Sequence, residues 1–213
     1  MSHQHTDVPL RVLGWCALLQ LIGTAVGFSG SYFSHSLTVL SDALHWLADV
    51  LPATVTLIAR AVIQQQRRLG HGQYFHQTVT GSGLFNAGLM IVTGVIAVTV
   101  ATPAVSRGER LVDFRLALAV TIIGFAANWA GHALTHRYSR VQCEHDTRFD
   151  ISSLSGHLLI DTVGSGLAVA FILLNAVYRT SVFDTVGGIF LGWCMVGYGL
   201  WLMVVLHLRR HNA

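Results

Sequence analysis

Apolar residues fall in six long runs along this chain, separated by short polar stretches. The runs cover approximately Leu10–Gly30, Ser36–Ala59, Thr78–Thr102, Phe114–His136, Ile151–Val177 and Val182–His207. Each is near or above the ~20 residues that a helix needs to cross the hydrocarbon core of a bilayer. Backbone groups in lipid must find their hydrogen bonds within the segment, so runs of this length predict helices. The expected fold class is an all-α membrane protein, a six-transmembrane-helix bundle. A single transmembrane domain over residues 1–213 is expected, with no soluble C-terminal domain after the sixth run.

Charge orients the bundle. Arg11, Arg60, Arg67, Arg68, Arg137, Arg140, Arg148, Arg209 and Arg210 fall at one set of segment ends. The opposite set holds Arg107, Arg110, Arg115 and Arg179, diluted by Glu109 and Asp113. Nine against four places both termini in the cytoplasm by the positive-inside rule. All thirteen basic residues are Arg, which with the small size points to a bacterium and its cytoplasmic membrane.

Composition agrees. Charged residues make up 11% of the chain, against about 25% in soluble domains, and mean hydropathy is +0.57. The first run has polar residues before it and another apolar run close behind, so it reads as a mature span rather than a cleaved signal. A formal charge of +3 with no basic aromatic surface excludes nucleic acid as a partner. Cys16, Cys143 and Cys194 are scattered and form no disulfide framework.

Against this apolar background a few ionisable residues stand out. The second run contains His45 and Asp49, the fifth contains His157 and Asp161, and both pairs read His-x-x-x-Asp. Four residues is just over one helical turn, so each pair shares a helix face. Asp42 extends the first stripe toward a membrane edge; Asp150 and Ser165 extend the second. A central Asp costs roughly 2.5–3.5 kcal/mol to insert, so such residues mark function by default.

Two imidazoles and two carboxylates on facing helices form a mixed nitrogen and oxygen set of four, which suits tetrahedral Zn2+. Ca2+ and Mg2+ call for more oxygen, and Cu+ for sulfur, while Co2+ and Cd2+ stay open. His45, Asp49, His157 and Asp161 are therefore the predicted metal ligands, with Zn2+ as transported substrate rather than resident cofactor. Metal binding requires neutral imidazole and ionised carboxylate, so ion and proton compete for the site. A site that holds one or the other, exposed alternately to each side, is a metal/proton antiporter.

These residues resemble the cation diffusion facilitator family in its zinc-transporting branch. Ser36-Leu-Thr-Val-Leu-Ser-Asp-Ala-Leu-His-Trp-Leu-Ala-Asp49 is similar to that family's second helix, and Gly156-His-Leu-Leu-Ile-Asp161-Thr-Val-Gly-Ser165 to its fifth. Gly70-His-Gly-Gln-Tyr-Phe-His76 through Asn86, Gly124-Phe-Ala-Ala-Asn128 and Asp184 resemble the family's third, fourth and sixth helices. The resemblance implies export of a divalent cation from the cytoplasm in exchange for H+, with the same four ligands and a zinc preference from the His of the second helix. It also implies a homodimer as a candidate assembly in the lipid bilayer. Typical members hold that dimer through a cytoplasmic ferredoxin-like domain.

The remaining polar residues read as structure. His132, His136, Cys143, Glu144, His145 and Asp146 follow no closed zinc motif and are expected in a solvated connector after the fourth span. His71 and His76 read as a second connector, and His3 and His5 as a tail. Gln20, Asn86 and Asn128 are assigned to interhelical hydrogen bonding. Pro52 is of a kind tolerated in membrane helices. Trp15, Trp46, Trp129, Trp193 and Trp201 are assigned to lipid or interface packing. Two other functions compete with transport. An intramembrane metalloenzyme would keep an open coordination position, which a set of four argues against. A non-transporting binding or regulatory partner of a full-length transporter would show no flux when purified alone.

Overall fold

The computed structural model describes residues 10–68, 75–107, 112–141 and 145–211. Within these, the side chains of residues 10–13, 52, 53, 55, 56, 59–68, 75–83, 107, 134, 135, 137–141, 145–158 and 209–211 fall outside the description. Six helices form: α1 (Leu10–Ser34), α2 (Leu37–Arg68), α3 (Phe75–Arg107), α4 (Phe114–Val141), α5 (His145–Tyr178) and α6 (Val182–His211). The shortest has 25 residues, about 38 Å at 1.5 Å per residue, which exceeds the ~30 Å hydrocarbon core. The expected all-α bundle is the observed fold.

The helices outrun the apolar segments at the arginine-rich end. α2 continues to Arg68, α4 to Val141 and α6 to His211, while α5 begins at His145. Helical hydrogen bonds do not stop where lipid stops, and Gln and Arg are good helix formers. One expectation is corrected as a result. His132 and His136 stand on α4 and His145 and Asp146 begin α5, so they belong to helices rather than to a connector. Cys143, Glu144, His71 and the side chain of His76 lie outside the described residues.

α1 and α3 to α6 each contain a stretch long and apolar enough to cross a membrane. α2 carries the polar stripe of Asp42, His45 and Asp49. Its position explains how it tolerates those residues. Among the described residues α2 is the only helix that packs against all five others. A central helix meets protein rather than lipid, so neighbours can satisfy its polar groups.

Small residues bring the neighbours close. A Cβ on Gly23 of α1 would fall 1.7 Å from the Trp46 ring, and one on Gly27 would fall 2.9 Å from the Ala43 Cβ. α3 and α6 approach until a Cβ on Gly94 would sit 2.6 Å from the Gly192 carbonyl oxygen. Such close contact supplies the van der Waals attraction that replaces the hydrophobic effect in lipid. Trp15, Trp129, Trp193 and Trp201 are exposed on the bundle surface, as lipid-facing residues should be. Trp46 departs from that expectation: it is 2% exposed, sealed in the cleft that Gly23 opens in α1.

Candidate metal centre

Local order in α2 begins with its cap. Ser36 precedes the helix and its Oγ accepts the Val39 amide at 3.1 Å. The first two amides, of Leu37 and Thr38, donate to the Asp184 carboxylate of α6 at 2.8 and 3.1 Å. Ser36 Oγ also donates to Asp184. Asp184 is in turn fixed by its own amide, which donates to Asn175 Oδ1 of α5 at 2.9 Å. The first three amides of α2, which no helix can satisfy from within, are thus all paired. Sequence reasoning placed Asp184 at the start of the sixth helix but missed this role. An N-terminal Ser before an apolar run was the legible half of the signal.

Below that cap, one face of α2 turns to α5. His45 Nε2 lies 2.9 Å from Asp161 Oδ1 and 3.5 Å from Asp49 Oδ2. One ligand atom from each of His45, Asp49 and Asp161 falls within 4.8 Å of the others. Asp49 and Asp161 are buried, while the His45 side chain keeps 13% exposure. Three of the four predicted ligands therefore converge. His157 stands one turn before Asp161 on α5, and its side chain lies outside the described residues, as does that of Asp150.

These distances can be compared with an ion's demands. Zn–N and Zn–O bonds of 2.0–2.2 Å in a tetrahedron separate the ligand atoms by about 3.3–3.6 Å. The 3.5 Å separation of His45 and Asp49 already matches such an edge. The 2.9 Å separation of His45 and Asp161 is a direct hydrogen bond, and opening it by roughly half an ångström would meet that spacing. His45 Nδ1 finds no hydrogen-bond partner among the described residues.

A second polar rung lies one turn from this cluster, toward the Asp184 end. Ser165 Oγ of α5 donates to Asp42 Oδ1 of α2 at 3.0 Å, and Asn128 Nδ2 of α4 donates to Ser165 Oγ at 3.1 Å. Asn128 thus makes the interhelical bond expected of it. Asp42, which continues the stripe toward the Asp184 end of α2, is 8% exposed and enclosed by α4 and α5. The amide oxygens of Gln20 and Asn86 have no partner among the described residues.

The family model described as the cation efflux transmembrane domain matches residues 15–205. The zinc transporter ZitB of Escherichia coli (strain K12) is 26% identical over 180 residues, covering 81% of this chain and 56% of ZitB. ZitB of Shigella flexneri matches with the same identity and coverage. The chain spans about half the length of these curated relatives. The matched domain is a transmembrane one, and five described helices are long and apolar enough to span, so this is a multi-pass integral membrane protein. With nearly all of its helical bundle matched, the chain belongs to the cation efflux family.

Proposed function

We propose that this protein is a secondary transporter that moves a divalent cation, Zn2+ first, across the membrane in exchange for H+. The observation that carries the reading is the convergence of His45, Asp49 and Asp161 at the heart of the bundle, on two helices of a cation efflux domain. His157, one turn from Asp161, completes the proposed set of four. One imidazole and two carboxylates favour Zn2+ over Ca2+ or Mg2+, and the relatives named as zinc transporters support the same choice. Co2+ and Cd2+ are the proposed competitors.

The chemistry supports exchange. Two carboxylates neutralise a dication, so the loaded site carries little charge into the bilayer. Once the ion leaves, two like charges remain close together and favour proton uptake. Alternate exposure of such a site to the two membrane faces couples the opposing fluxes. The arginine asymmetry favours a cytoplasmic location for the arginine-rich end in a bacterial cytoplasmic membrane, and exchange against inward-moving H+ would carry the cation outward, as export.

Proteoliposomes test this reading. Zn2+ flux should follow an imposed pH gradient, and Asp49→Ala should abolish it while leaving a folded, monodisperse protein. Flux in the Asp49→Ala variant equal to that of the parent would refute the site. No flux from the parent purified alone would favour a binding or regulatory role.

A further inference from the structure

The inward faces of the two ligand helices are tightly packed between the candidate metal centre and the Asp184 end. On α2 no residue from Leu37 to Val50 is exposed. On α5 the inward face after Asp161 is sealed, with Ser165, Ala168, Ile172 and Asn175 each 0% exposed, while Val163, Leu167 and Leu174 turn outward. Between the centre and the Asp184 end the interior faces of α2 and α5 are therefore packed shut.

Three layers close this stretch. Nearest the centre is the Asp42–Ser165–Asn128 bridge, which joins α2, α5 and α4. Behind it is an apolar plug of Val39, Ala117, Val120 and Ile172, with Val26 of α1 packed against it. The last layer is the Ser36–Asp184–Asn175 clamp. The bridge differs from the other two. Parting the plug separates apolar surfaces, and parting the clamp uncaps the first turn of α2. Asp42, Ser165 and Asn128 are instead groups that water can satisfy as well as they satisfy one another. A closure built from them holds without costing much to open. They also lie on the same faces as the ligands, Asp42 three residues from His45 and Ser165 four residues from Asp161. Parting of α2 from α5 on that side must break this rung.

We propose that the Asp42–Ser165–Asn128 bridge is the latch of the gate at the Asp184 end of the ion path, closed in this conformation and opened for passage of the ion to that face. The proposal rests on the transport reading for the word ion. The latch itself is a statement about which contacts hold α2, α4 and α5 together.

Accessibility of buried positions behind the latch tests it. In a background carrying Cys16→Ser, Cys143→Ser and Cys194→Ser, a reporter is placed by Ala168→Cys or Val39→Cys, positions 0% and 1% exposed. A membrane-impermeant maleimide is added at the Asp184 face of proteoliposomes. With the latch intact, labelling should be slow. Ser165→Ala cuts both bonds and Asn128→Ala cuts one. Interhelical polar contacts of the usual strength convert to an open population raised about three- to twentyfold, so labelling should accelerate by that factor, more for Ser165→Ala. A control reporter at Ala87→Cys, buried on α3 where it meets α6, should not accelerate.

Unchanged labelling at both reporters, or an equal rise at Ala87→Cys, would overturn the latch; the second result would mean general loosening. Should Ser165→Ala fail to fold, Asn128→Ala and the shape-conserving Asp42→Asn carry the same comparison. The two readings fail separately. Parent Zn2+ flux with unchanged labelling removes the latch alone, whereas accelerated labelling without parent flux removes transport and leaves the latch standing.

Discussion

Replacing Asp184 by Ala removes the acceptor for three donors at once: the Leu37 amide, the Thr38 amide and the Ser36 hydroxyl. All sit in a fully enclosed region, with Asp184 at 0% and Ser36 at 2% exposure, so water cannot replace the lost partner. At about 0.6–1.7 kcal/mol per polar contact between membrane helices, the loss is about 2–5 kcal/mol. Asp184→Asn keeps one acceptor oxygen and turns its amide group toward one backbone N–H. It should lose about 1–2 kcal/mol, the worth of one such contact. Ser36→Ala falls between them, because it orphans the Val39 amide and one contact to Asp184. The two sites share a bond, so the double variant Ser36→Ala/Asp184→Ala should destabilise less than the sum of the singles. Cys16, buried at 6% exposure on α1, offers a convenient readout. In a background with Cys143→Ser and Cys194→Ser, a thiol-reactive dye reports unfolding as that thiol becomes accessible. An Asp184→Ala protein within about 0.5 kcal/mol of the parent would refute the reasoning, as would an Asn variant as unstable as the Ala variant.

Gly23→Ala should destabilise the bundle by about 1–3 kcal/mol, since its Cβ would meet the enclosed Trp46 ring at 1.7 Å. Gly14→Ala on the same helix has nothing within 4 Å and should be neutral or mildly stabilising in the same assay. Zn2+ binding to the purified protein should weaken as pH falls, because the ion needs neutral imidazole and ionised carboxylate. Each proton displaced contributes about tenfold in affinity per pH unit, and calorimetric titrations at pH 8, 7 and 6 would check it. An affinity independent of pH would remove the basis for exchange.

Much of the fold was legible in the sequence, because the requirement that reveals it is local. A span must bury its own backbone in lipid, so length and hydropathy alone mark the helices. Where the helices stop was less legible. His132 and His136 continue α4 because helical bonding is indifferent to the lipid boundary, which hydropathy tracks. The candidate site was legible for a similar reason: a spacing of four puts His45 and Asp49 on one face whatever surrounds them. The approach of Asp161 to His45 needed one further inference, that polar faces in a membrane seek each other.

Sequence alone thus determined the number of helices, their faces and the residue types offered to an ion, all consequences of a 3.6-residue period in a low-dielectric solvent. Only tertiary structure decided which faces meet. Asp184 caps a helix that begins 147 residues earlier. Trp46 turns away from lipid because Gly23 leaves room for it, and Asp42 is enclosed because Ser165 and Asn128 reach it. Those contacts depend on how far each helix is rotated and how closely it crosses its neighbours. That is settled by packing across the whole bundle, which no local pattern along one segment records.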